Sequence, residues 1–298
     1  MSQFPILDVP LDAREDTEQL GSKPKFWVLL DGQRWLFKEA RANTGEDWAE
    51  KVAAEVAKAI GIRAATVDLA EYSGRKGSIS LNFVDVDAGE SLVHGNEILA
   101  QLVTGYDGKK VFRQSDHTLE NIQRAVRNLF LPAPQRIDGI LTELAGYMVL
   151  DALIGNTDRH HENWGLLLHA RTTPGAVPLS VAPSFDHASS LGRELSDAKR
   201  AELLACDGIA RYLHRGRGGI FRDQADHHGE NPLRLVQVAA RAYPLLFRPA
   251  LERVAALAAR DVHNIVESLP EQRASPTAKS FIEAILAKSQ ALLIEILK

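Results

Sequence analysis

Residues 151–168 read DALIGNTDRHHENWGLLL. An apolar helical run stops at Gly155, a polar run crowds Asn156, Asp158, Arg159, His160, His161, Glu162 and Asn163 together, and an apolar strand pattern starts at Trp164. Alone, an Asp/Asn/His loop after a helix is ordinary capping and turn chemistry. So many titratable groups between a regular helix and a strand favour a catalytic loop instead. Phosphoryl transfer needs an acceptor for the substrate hydroxyl proton and oxygen ligands for magnesium. An Asp followed five residues later by an Asn supplies both. Asp158 is the candidate catalytic group, and Asn163 is the candidate metal ligand that completes it.

Two further pieces flank this loop. Downstream, APSFDHASSLG (182–192) places Asp186 after a short apolar run and before small polar residues, as a second magnesium-binding carboxylate would be. Upstream, GSKPKFWVLLDGQRWLFKEA (21–40) has two apolar runs around Asp31-Gly32, a strong hairpin signal with strands near 25–30 and 34–38. Its opening, Gly21, Ser22, Lys23 and Lys25, is a candidate phosphate-covering loop, although it fits no Walker pattern. Lys38 ends the second strand and can neutralise phosphate charge, held by Glu50 or Glu55 on the helix that follows. Taken singly, Asp186 reads equally well as a turn residue and Lys38 as a solvated strand end. Their order along the chain makes them stronger together.

Other readings of the same residues are weaker. A zinc site from Asp158, His160, His161 and His187 lacks the spacing of HExxH or paired-Cys sites. His160 is expected to brace the loop beside the nucleotide, and His161 to be exposed. Arg215 and Arg217 in HRGRGG (214–219) could form a basic patch for a substrate or a phosphate, but a loop this rich in Gly and Arg is ordinarily just solvated.

Elsewhere, helical spacing predicts an amphipathic helix over 47–60, then β-rich stretches at 65–71 and 78–84. Helices are expected at 118–130, 137–154, 196–205, 232–246, 249–268 and 277–297. Hydrophobic residues are 45% and charged residues 25% of the 298, an ordinary globular balance. A net charge of -4 and a pI near 6.2 give no basic footprint for nucleic acid, so none is expected as a direct partner. The single Cys206 has no disulfide partner, the N-terminus carries acids where a leader would be basic, and no apolar run reaches the roughly 18 residues of a membrane span. A cytoplasmic protein without membrane contact is expected.

GNTDRHHEN, PSFDHASSLG and GSKPK together resemble the HipA-type serine/threonine kinases of bacterial toxin-antitoxin modules, from about Gly21 to the C-terminus. That resemblance implies an ATP- and magnesium-dependent protein kinase, with Asp158 matching the catalytic Asp, and Asn163 and Asp186 the magnesium ligands. Lys38 matches the nucleotide lysine, and GSKPK the phosphate loop. Glu50, counted back from Gly61, falls in the helix-Glu register. Many members autophosphorylate a serine near that loop, where Ser22 stands. Some phosphorylate aminoacyl-tRNA synthetases, so the implied partners are a protein substrate such as a synthetase or another translation factor, and an antitoxin. Only about twenty residues precede the loop, as in short members lacking the N-terminal subdomain. The expected fold is α+β and two-lobed, protein-kinase-like: a small mixed β-rich N-lobe (1–88) and a larger helical C-lobe (89–298). The same scaffold also serves small-molecule or lipid kinases and nucleotide-binding pseudokinases.

Overall fold

The computed structural model describes residues 2–17, 25–111, 113–170 and 177–298. The first lobe is a mixed sheet with one helix. β1 (Ile6–Asp8), β2 (Arg14–Thr17), β3 (Lys25–Leu30) and β4 (Gln33–Glu39) precede α1 (Glu46–Ala59), and β5 (Val67–Tyr72) and β6 (Arg75–Leu81) follow it. The six strands order as β1-β5-β6-β4-β3-β2, with β1 parallel to β5 and the other pairs antiparallel. Asp31 and Gly32 turn the β3–β4 hairpin at φ +50° and +73°, the left-handed pair that a two-residue hairpin loop requires. That turn fixes a register in which Lys38 stands opposite Lys25. Strand alternation then sends Phe26, Val28 and Phe37 into a small apolar cluster with Val9, Ala70 and Ile79. Lys38, one residue on from Phe37, points to the opposite face.

The second lobe is helical around one buried rod. β7 (Glu90–His94), α2 (Gly95–Leu102) and α3 (Leu119–Leu129) lead to α4 (Ile137–Ile154), which is buried on every side from Leu144 to Ile154. A helix apolar all round belongs at the centre of a core, and here α7, α8 and α10 surround it. β8 (Gly165–His169) and β9 (Leu179–Val181) join β7 in a three-stranded antiparallel sheet, order β7-β8-β9. α5 (Asp197–Ala205), α6 (Ile209–Arg215), α7 (Pro232–Ala242), α8 (Pro244–Ala256), α9 (Ala259–Glu267) and α10 (Pro276–Ile294) complete the chain. Among the described residues no helix is long and apolar enough to cross a membrane. The architecture is thus α+β and two-lobed.

Two predicted helices needed redrawing. The helix read over 232–246 stops at Ala242, because Tyr243 before Pro244 takes φ -134°, ψ 59°, outside the helical region that a following proline disfavours. Pro244 then opens α8 at a first-turn position, where its missing N–H costs nothing, and Pro249 lies inside that helix. The helix read over 249–268 is consequently two, parted at Leu257 (ψ 115°).

The lobes are joined by one buried and one part-buried ion pair. Arg273, between α9 and α10, donates to Asp47 Oδ2 at 2.8 Å and to the Ala70 carbonyl at 3.0 Å. Arg193 pairs with Glu46 at the start of α1, whose other carboxylate oxygen takes the Arg41 N–H at 3.0 Å. Anions in the first turn of α1 also complement its dipole.

Candidate functional site

α4 ends with Gly155 in the left-handed region (φ 66°), which turns the chain sharply into the polar loop. Asp151, in the last turn of α4, receives two parallel hydrogen bonds from Arg159: Nε to Oδ2 and Nη2 to Oδ1, each 2.8 Å. Both side chains are at most 5% exposed. Arg159 Nη1 also donates to the Asn163 carbonyl at 2.6 Å and the Phe185 carbonyl at 3.4 Å, and Nη2 to Ser184 Oγ at 2.9 Å. One planar guanidinium thus fastens the helix end, the loop and the segment before Asp186 together. Burial works to lower the Arg159 pKa, and the Asp151 carboxylate overcomes it, holding it above its ordinary value. The loop is closed on itself as well: Asn163 Nδ2 donates to the Asp158 carbonyl at 2.7 Å, the Asp158 N–H to Asn156 Oδ1 at 3.1 Å, and the Glu162 N–H to His160 Nδ1 at 3.2 Å.

Across the cleft, Lys38 Nζ lies 3.1 Å from Asp186 Oδ1. Asp186 sits at φ +60°, a conformation unusual for a residue with a side chain, and such strain gathers at ligand-holding positions. Its neighbours pin it. His187 donates its backbone N–H to Glu50 Oε1 at 2.9 Å, and its Nε2 meets Ser184 Oγ at 2.7 Å. Glu50, on α1, is buried, and its second carboxylate oxygen has no hydrogen-bond partner among the described residues. Burial pushes the Glu50 pKa up, and Lys38, then His187, bring it below the usual range. For Lys38, burial lowers the pKa, while Asp186 and Glu50 together hold it above its ordinary value. Each charge thus favours the ionised form of the other, and Lys38 is bonded to Asp186.

The structure brings Lys38, Glu50, Asp158, His160, Asn163 and Asp186 into this one region. Lys25 joins them as the cross-strand partner of Lys38. Gly21, Ser22 and Lys23 lie outside the described residues. Glu55 is engaged elsewhere, with Lys51 at 2.7 Å. His161, expected at the surface, is instead fully buried and bonded through Nδ1 to the Tyr106 hydroxyl at 2.8 Å. It serves the floor under the loop with His117, which contacts the Gly219 carbonyl (2.8 Å) and accepts from Trp164 Nε1 (3.0 Å). Among the described residues, Asp158, His160, His161 and His187 do not gather ligand atoms at one point as zinc would need.

Sequence reasoning assigned no role to Asp151 and Arg159, nor to Ser189, whose hydroxyl donates to Asp158 Oδ2 at 3.3 Å and accepts from Arg193 Nη2 at 3.2 Å. Only the crowding of polar residues at the end of an apolar helix hinted at them. Asp186 and Asn163 offer one carboxylate and one carboxamide, hard oxygen donors of the kind a small divalent cation takes alongside phosphate oxygens.

Residues 19–242 match the sequence model of the HipA-like C-terminal domain. No curated protein matches the chain. Among solved structures, the Helicobacter pylori proinflammatory kinase CtkA superposes with a TM-score of 0.79 at 19% identity, over 98% of this chain and 97% of that one. The Shewanella oneidensis MR-1 toxin-antitoxin complex of HipA, HipB and operator DNA superposes with a TM-score of 0.56 at 14% identity, over 96% of this chain and 66% of that one. At such identities the likeness is one of fold, a two-lobed kinase fold. The matched family model spans most of the chain, and the chain belongs to the HipA-like C-terminal domain family.

Proposed function

We propose that this chain is an ATP- and magnesium-dependent serine/threonine protein kinase, with residues 1–88 and 89–298 as its lobes. The observation that carries the reading is the convergence of Lys38 and Asp186 at 3.1 Å over a loop that Arg159 locks in place. Lys38, with Lys25 opposite it, supplies positive charge for nucleotide phosphates. Gly21, Ser22 and Lys23, outside the described residues, are assigned to those phosphates by the sequence resemblance alone. Asp158 takes the hydrogen bond of the acceptor hydroxyl, while Ser189, held by Arg193, keeps its bond to Oδ2 and so orients the carboxylate. Asp186 and Asn163 hold magnesium, which when bound neutralises charge on the transferring group. His160 keeps the loop in shape through its bond from the Glu162 N–H. The protein's contribution is positioning and fixed charge rather than covalent chemistry. Membership of the HipA-like family favours a protein acceptor and autophosphorylation, and the likeness to HipA seen with HipB favours an antitoxin partner; the lone Cys206 favours a reducing, cytoplasmic setting.

The test is transfer from γ-labelled ATP with magnesium, alone and with a cytoplasmic extract, for the wild type and Asp158→Ala. Protein-bound label that disappears in the variant supports the reading. Label found on small molecules alone moves it to a small-molecule or lipid kinase, and bound ATP without transfer to a pseudokinase.

A further inference from the structure

The loop between α6 and α7 contains a feature that the phosphoryl-transfer residues do not use. A cavity of about 570 Å³ opens there, lined by His214, Arg217, Arg222, His227, His228 and Arg234. Its acids are already engaged: Glu230 faces Arg234 at 3.7 Å, and Asp226 accepts the Asp223 N–H at 3.2 Å. Arg217, Arg222, His227 and His228 make no hydrogen bond or ion pair among the described residues. Two guanidinium groups without a partner among the described residues, and three arginines against two carboxylates around the concavity, favour an anionic occupant.

This cavity adjoins the catalytic loop through backbone. Gly219 approaches so closely that a Cβ there would fall 2.7 Å from the Arg159 carbonyl carbon and the His160 nitrogen, and one on Gly216 would fall 3.0 Å from Thr157 Cγ2. The His117 ring holds the Gly219 carbonyl at 2.8 Å, and the Phe221 N–H donates to the His117 carbonyl at 2.9 Å. Arg217 therefore stands on a loop braced against the residues on either side of Asp158. Arg217, Arg222, His227 and His228 are exposed, so the cavity is open to solvent. Small-molecule sites enclose most of their ligand, whereas an open, charged concavity suits a side chain presented by a larger partner.

We propose that this basic cavity is an acceptor-docking subsite that takes the carboxylate side chains of an acidic protein segment next to the phosphorylated hydroxyl. As an acceptor subsite it rests on the kinase reading above; as an acidic-peptide site it does not, and binding separates the two.

The experiment measures anisotropy of a fluorescein-labelled peptide with one serine flanked by Asp and Glu, and of its Lys/Arg-flanked counterpart. Each is titrated with the full chain and with an Arg217→Ala/Arg222→Ala variant, without nucleotide. Neither arginine has a partner to lose, so the variant keeps the core intact. The acidic peptide is expected to bind more tightly than the basic one, with affinity falling as salt rises, and the double variant to lose roughly tenfold. Such binding without any phosphoryl transfer would leave the subsite standing and overturn the kinase reading alone. Equal binding of both peptides, unchanged binding by the variant, or capture of an RNA oligonucleotide in preference to the acidic peptide overturns the proposal.

Discussion

Lys38 Nζ and Asp186 Oδ1 lie 3.1 Å apart, linking strand β4 of the first lobe to the segment that follows β9 in the second. Glu50, buried beside them, keeps one oxygen on the His187 N–H and leaves the other without a partner among the described residues. Lys38 thus has two carboxylates within its field and is bonded to one of them. On the proposed function, Asp186 would be one of the residues holding the metal, and Lys38 would meet phosphate. Lys38→Met should lower the rate of label transfer roughly 10²–10³-fold, the usual cost of removing one preorganised charge from a transfer site. Initial rates from γ-labelled ATP measure it.

The Asp151–Arg159 pair is the structural keystone of the loop. Asp151→Ala would leave the Arg159 guanidinium buried without its counter-charge, and unfolding free energy in urea should drop by about 3–5 kcal/mol. As a control, Glu120→Ala, which breaks the exposed i,i+4 pair with Arg124, should cost at most about 0.5 kcal/mol. Equal effects at the two sites would contradict the role given to Arg159.

Ser189 tests the orientation of Asp158. Its hydroxyl joins Asp158 Oδ2 to Arg193, which is in turn tied to Glu46 on α1. Ser189→Ala should lower kcat about tenfold, as for loss of one hydrogen bond to a charged group, without changing the KM for ATP. Ser189→Thr, which retains the hydroxyl, should recover most of the rate.

His117 and His161 give the fold a dependence on pH. Burial lowers the pKa of His117 to about 3 and that of His161 to about 4, with neighbouring imidazoles adding to both depressions. In the unfolded chain both protonate near pH 6.5. Between about pH 4 and 6.5 the unfolded state therefore binds more protons, and stability falls as pH is lowered through that window, by up to about 1.4 kcal/mol per unit for each group. Glu50, with its lowered pKa, acts in the same direction but below the ordinary carboxylate range. Urea midpoints at pH 7.5 and pH 5 should differ for the wild type and differ less for His117→Gln.

Much of this was legible in the sequence because the signals were local. Asp31-Gly32 marks a turn by its own conformational preference, and the apolar run into Gly155 marks a buried helix and its end. Asp158, Asn163 and Asp186 stand out because their chemistry sits in short polar segments between regular elements. What sequence hid was long-range. The 137-residue separation of Glu50 from His187 leaves no local trace, nor does the burial of His161 against Tyr106. The α7–α8 boundary was missed for a different reason: Pro244 and Pro249 are both plausible breakers, and only the packing of Phe247 and Ala250 in the core decides that the second stays inside a helix.

The measurement closest to the central claim is calorimetric ATP binding with and without magnesium, for the wild type and Asp186→Asn. If Asp186 is the metal carboxylate facing Lys38, magnesium should tighten ATP binding to the wild type and leave the variant unchanged, since a carboxamide keeps the shape and removes the charge. Equal tightening in both proteins, or no ATP binding by either, would contradict it.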